Sequence, residues 1–224
     1  MSLNLNCNFY LHIQRSNIMI NGLLILFSLM YCLKREKWSL KELIIAGIMV
    51  GLFLSTRNVF VIPYVILFLY LLKNGNLSFI KLIQLGCVAI VTFALTFLPF
   101  IYNYWDSFLI MNPFVIQGSF LIPFHYTVGF VLLAFLFPFL CKSKEDVFFY
   151  SGVNLFITIT IYFIYHIIHS GFQSAFYESI VDISYFILCI PFFLIYFLIQ
   201  ENEKSEQSII INAEQDYHEE KQES

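Results

Sequence analysis

Charge is what this chain has least of. Only 12% of its 224 residues are Asp, Glu, Lys or Arg, 59% are hydrophobic, and mean hydropathy is +0.78. A soluble globule usually carries roughly 25% charged residues. So few charges cannot cover a water-facing surface, which excludes a soluble enzyme and a disordered scaffold. No basic patch suits nucleic acid either. Metal-ligand spacings are missing as well: Cys7, Cys32, Cys87, Cys141 and Cys189 lie scattered and odd in number, with no C-x-x-C. They read as small packing residues, not as a disulfide framework or a zinc site. No nucleotide-binding glycine loop, Walker sequence or G-x-S-x-G is found, so ATP-driven transport and serine hydrolysis are not expected of this chain, and no cofactor is expected.

What the sequence does contain is a series of apolar runs. The first covers 17–33 and is followed by Lys34, Arg35 and Lys37, a stop-transfer flank without a small-residue cleavage site, so it reads as a retained helix. The second, 43–72, is interrupted by Ser55-Thr56-Arg57-Asn58, with Pro63 beyond. Each half is short for a crossing of ~20 residues, so two short helices meeting at a polar tip are expected. Further runs cover 82–102, 121–141, 148–168 and 180–199. The expected fold is an all-α integral membrane protein of about seven apolar segments, including this short broken hairpin. Residues 1–16 form an external N-terminal segment, 17–199 a transmembrane helical domain and 200–224 an acidic cytoplasmic tail.

Charge placement gives the orientation. Segments 34–42 and 73–81 hold six Lys and Arg between them and 142–146 adds two, while 103–120 and 169–179 hold none. By the positive-inside rule the first three face the cytoplasm and the others lie outside. The expected location is the cell membrane, as a multi-pass protein of a bacterial inner membrane.

Three groups of residues could carry chemistry. Arg57 with Asn58 sits at the expected tip, where a charge costs about 2.5–3.5 kcal/mol if it faces lipid. A guanidinium there either grips a lipid-linked phosphate, whose oxygens match its fork, or snorkels to headgroups. The loop after the 82–102 run combines Trp105, Asp106, Asn112 and Gln117 with many aromatic residues. That composition suits a sugar held by aromatic faces and hydrogen bonds, and equally an interfacial aromatic belt. His166 and His169 share a helix face at i, i+3, but without a third fixed ligand they read as interfacial polar packing, and no metal is expected.

The stretch KREKWSLKELIIAGIMVGLFLSTRNVFVIPYVILFLYLLKNG carries Gly47, Gly51, Ser55, Thr56 and Arg57 in the pattern of two spaced glycines, a hydroxyl residue and a cation. Together with Leu98-Pro99-Phe100, Trp105 and Asn112-Pro113-Phe114, it resembles bacterial glycosyltransferases of the GT-C fold, mannosyltransferase-like, over about residues 17–120. The resemblance implies transfer of a sugar from a polyprenyl-phosphate donor at the external membrane face. It implies membrane lipid and a polyprenyl-phosphate-linked sugar as partners. It also implies an essential acid in a first external loop, whereas this chain has no Asp or Glu before Glu36. On that reading the chain corresponds to the C-terminal portion of such an enzyme, working with a missing N-terminal portion or a partner subunit, and its catalytic residue is unknown. The alternative is a non-enzymatic multi-pass transport or assembly subunit.

Overall fold

A computed structural model describes residues 20, 22–35, 37–56, 60–103, 105, 123–173 and 186–202. Among them the regular structure is helical. The helices are α1 (Gly22–Leu33), α2 (Leu40–Thr56), α3 (Val61–Lys73), α4 (Phe79–Asn103), α5 (Phe124–Leu140), α6 (Asp146–Ser170) and α7 (Phe186–Asn202). Each expected apolar run coincides with one helix, and the interrupted run 43–72 becomes two, α2 and α3. Two of the seven, α4 and α6, are long and apolar enough to cross a membrane. The last helix continues to Asn202, a little into the stretch read as tail.

Local chemistry fixes where the helices start and stop. Ser39 and Glu42 form a reciprocal cap on α2: the Ser39 N–H donates to Glu42 Oε2 at 2.8 Å, and the Glu42 N–H reaches Ser39 Oγ at 3.4 Å. That exchange satisfies donors the helix cannot pair internally. Asp146 does the same for α6, accepting from the backbone N–H groups of Lys142 (2.7 Å) and Ser143 (3.0 Å). Pro63 falls in the first turn of α3, where a missing N–H costs nothing. At the other end of α6, Gly171 has φ 80°, a left-handed conformation that favours glycine.

Two packing units organise the bundle. In the first, α2 lies along α4, the most extensive pair among α2 to α6. Their contact is made at Gly47 and Gly51. A Cβ on Gly47 would come 2.7 Å from Val88, and one on Gly51 would come 2.5 Å from the Ala89 carbonyl oxygen. Two glycines four apart thus let the α2 backbone approach α4 more closely than any side chain permits. In the second unit α3 is the centre. It is apolar all round, Ile66, Leu67 and Leu71 have no exposure, and it packs on α5 and α6. A helix hydrophobic on every side is one that neighbours surround. The Ser28–Tyr64 hydroxyl pair at 2.8 Å, fully inside, ties α1 to α3. The principal partners of α2 and α3 are therefore other helices, so the two halves of the interrupted run do not form a mutually packed hairpin.

All seven helices run between the same two ends. Lys81 Nζ donates to the Trp38 carbonyl at 2.8 Å, which joins the start of α4 to the residues before α2. Lys73 Nζ, on the last residue of α3, donates to the carbonyls of Pro138, Phe139 and Cys141 at the end of α5. Segments 34–42, 73–81 and 141–146 thus share one end, here called the basic end. Rings at 5.2 Å (Phe137–Tyr150) and 5.8 Å (Tyr126–Tyr165) show α5 and α6 antiparallel along their length. The three lysine-bearing segments that the charge rule assigns to one side of a membrane are gathered at one end of the bundle.

Candidate functional site

The sequence directs attention to the end opposite the basic one. There α2 stops at Thr56 and α3 begins at Val61, with Phe60 buried just before it. Ser55 Oγ folds back on the Leu52 carbonyl at 2.7 Å, a bond that competes with helix propagation as the chain leaves α2. Arg57 and Asn58 lie outside the described residues, as do Asp106, Asn112 and Gln117. Trp105 is described: it follows α4 and is half exposed, at this same end. The structure thus places one of the six expected site residues.

The same end carries an aromatic and histidine cluster on α5 and α6. His125 and Tyr126 lie at the start of α5, and Tyr126 meets Tyr165 edge-on at 5.8 Å. Tyr165 in turn stacks on His169 at 4.0 Å, and His169 Nδ1 is 2.9 Å from the Tyr165 carbonyl oxygen. His166 is buried while His169 is exposed, so the two rings at i, i+3 do not converge on one open point. Among the described residues no three His, Cys, Asp or Glu side chains are grouped to hold a metal ion.

The basic end has a feature the sequence reading used only for orientation. A groove of about 690 Å³ opens between the segment preceding α2 and the turn joining α3 to α4, lined among others by Lys37, Trp38, Asn76, Ser78 and Lys81. Arg35 Nη1 pairs with Glu42 Oε1 at 2.9 Å, and its guanidinium lies 4.4 Å from the centre of the Tyr31 ring. Hydrogen bonds from the Ser39 backbone and hydroxyl, then the charges of Arg35 and Lys81, hold the Glu42 carboxyl below its ordinary range. The signal available in the sequence was Ser39-x-x-Glu42, a capping box, placed among six cations.

A second feature went unread in the sequence. Along α6, Ser151, Asn154 and Thr158 recur at i, i+3 and i+7, all buried, with Thr158 Oγ1 3.4 Å from Asn154 Oδ1. Ser151 Oγ and Asn154 Nδ2 have no hydrogen-bond partner among the described residues. These side chains sit within an apolar run of Phe, Ile and Leu, which is why composition alone hides them.

Compared with protein-family models, with curated proteins and with solved structures, the chain matches none.

Proposed function

We propose that the chain works inside a lipid bilayer as a multi-pass helical protein, and that it forms the lipid-linked substrate side of a membrane glycosyltransferase. The observation that supports the bilayer most is the surface. Only 11% of the apolar window of α4 is buried, and Ile80, Ile83, Ile90, Val91, Leu95 and Leu98 stand exposed along it. An exposed apolar face of that length is far larger than water tolerates on a soluble monomer. At 25 residues each, α4 and α6 run about 37 Å, more than the ~30 Å of bilayer hydrocarbon. The remaining helices are shorter; α2 packs along α4 and α5 packs with α6 on α3, so the bundle as a whole takes up the span.

The transferase part of the reading rests on the sequence. In the sequence Arg57 and Asn58 interrupt the apolar run between the stretches that form α2 and α3, and a break in the helix there would be tolerated at membrane depth only against protein or a wet cavity. A cation there would hold the phosphate of a polyprenyl-phosphate sugar. The aromatic end, with Trp105 at the exit of α4 and the Tyr126–Tyr165 pair, offers ring faces for the sugar or the prenyl chain. A different class of function, a non-enzymatic transport or assembly subunit, is favoured by one finding. Gly47 and Gly51, which carry much of the family resemblance, have a packing role on α4 that needs no catalysis.

Binding separates the two readings. The protein purified in detergent should bind a short-chain polyprenyl-phosphate sugar, and Arg57→Ala should weaken that binding by about tenfold or more, since a charge-assisted contact to phosphate is lost. Lys142→Ala, a cation at the opposite end, should leave it unchanged. No binding by the native chain, or equal binding by the Arg57 variant, would refute the transferase reading.

A further inference from the structure

We infer that the groove at the basic end seats the phosphate of an anionic lipid headgroup. The groove lies where the bundle would emerge from a bilayer, because the residues leading into α2, the turn joining α3 to α4 and the first turns of α2 and α4 line it. Segments 34–42 and 73–81 carry Lys34, Arg35, Lys37, Lys41, Lys73 and Lys81 against Glu36 and Glu42. Arg35 is committed to Glu42, the one ion pair among the described residues, and Lys73 is committed to the carbonyls ending α5. Lys37 is exposed on the groove wall, and Lys81, in the first turn of α4, lines the same wall with one of its three N–H donors given to the Trp38 carbonyl. Clusters of cations immediately beside membrane helices attract anionic lipid, and here the cluster has a shaped recess.

The recess also has unused hydrogen-bond donors. Trp38 lines it, is 4% exposed, and its indole Nε1 has no partner. That N–H is buried and lacks an acceptor, and an oxyanion seated against the indole would supply one. Ser78 precedes α4 and receives the Lys81 backbone N–H at 3.4 Å; the other N–H groups of that first turn have no acceptor within the helix. Asn76 adds a side-chain amide on the same wall. The carboxylate of Glu42 would repel an anion, but both its oxygens are already taken, by Arg35 and by Ser39.

The test is lipid binding by the full chain in phosphatidylcholine nanodiscs, titrated with dilauroyl phosphatidylglycerol and, separately, with inorganic phosphate. The Lys37→Gln/Lys81→Gln double variant should bind phosphatidylglycerol roughly tenfold more weakly. Lys142→Gln/Lys144→Gln, the same charge change at the same end but off the groove, should stay within about twofold of the native protein. Trp38→Phe keeps a ring and removes only the N–H, and should weaken binding by about threefold, which decides the matter even if the lysine variant fails to fold. Equal loss in both lysine variants, or no change in Trp38→Phe, would overturn the groove. Full displacement of the lipid by millimolar inorganic phosphate would overturn the lipid as its ligand. The inference rests on the bilayer reading, and the two fail differently. A chain that does not insert is found in the soluble fraction before any lipid is added, whereas a wrong groove leaves insertion intact.

Discussion

Replacing Gly51 by alanine is expected to destabilise the protein by about 2–3 kcal/mol, while the same replacement at Gly86 is expected to be neutral or to stabilise it by up to about 1 kcal/mol. Two effects oppose each other in any helical glycine-to-alanine change. Alanine relieves the entropic penalty that glycine brings to a helix, worth about 0.5–1 kcal/mol. It also adds a methyl group that needs room. At Gly51 that methyl would meet the Ala89 carbonyl oxygen at 2.5 Å and the Phe93 backbone nitrogen at 3.1 Å. Those are backbone atoms of α4, which cannot rotate out of the way, so α2 must move off and lose its tightest contact. At Gly86, on α4 itself, nothing lies within 4 Å of the added carbon, so only the entropic gain remains. Thermal or denaturant unfolding of both variants in detergent micelles reads the signs directly. A destabilised Gly86 variant, or a Gly51 variant as stable as the native protein, would mean that α2 and α4 do not meet through these glycines.

The second large effect is expected at Lys73. Substituting methionine keeps the apolar stem but removes three donors, at 3.2 Å to the Pro138 and Phe139 carbonyls and 2.9 Å to that of Cys141. The last carbonyls of a helix have no internal partners, and a cation is favoured there by the helix dipole as well. Hydrogen bonds from a charged donor contribute about 1.5–3 kcal/mol each when enclosed, but Lys73 is exposed and water replaces part of the loss. The expected cost is about 2 kcal/mol in unfolding free energy. Lys142→Met should cost at most about 0.5 kcal/mol, as for an ordinary surface change. Because Lys73 links α3 to α5, its variant should also raise hydrogen exchange at the end of α5 before it does so elsewhere.

These two sites show what was legible in the sequence. The apolar runs marked every helix, since a segment that must be enclosed on most sides leaves a long unbroken signature. The polar residues beginning at Ser55 marked the end of α2, where the Ser55 hydroxyl bonds the Leu52 carbonyl of its own helix. Charge counting grouped the loops correctly at one end, as the Lys81–Trp38 and Lys73–Cys141 bonds do in space. Pairing was not legible. That α2 seeks α4 and not α3 depends on which surfaces fit, and Gly47 and Gly51 announce a close approach without naming the partner. Nor was the α6 stripe of Ser151, Asn154 and Thr158 legible, since three small polar residues barely alter the hydropathy of a 25-residue helix. Of the expected site, Trp105 has a place at the aromatic end. The basic groove was hidden because its cations already had an explanation in orientation.

The central claim is that the bundle sits in a membrane with its basic end on one side and its aromatic end on the other. The most direct measurement places single cysteines at the two ends of one helix, Lys144→Cys before α6 and Ser170→Cys at its last residue, in a chain with the native cysteines replaced by alanine. Both positions are exposed, and α6 separates them by about 37 Å. Intact cells are treated with a thiol reagent that cannot cross a membrane, then opened and treated again. Position 170 should label in intact cells, and position 144 only after opening. Equal labelling of the two positions in intact cells, or of neither until opening, would contradict the account.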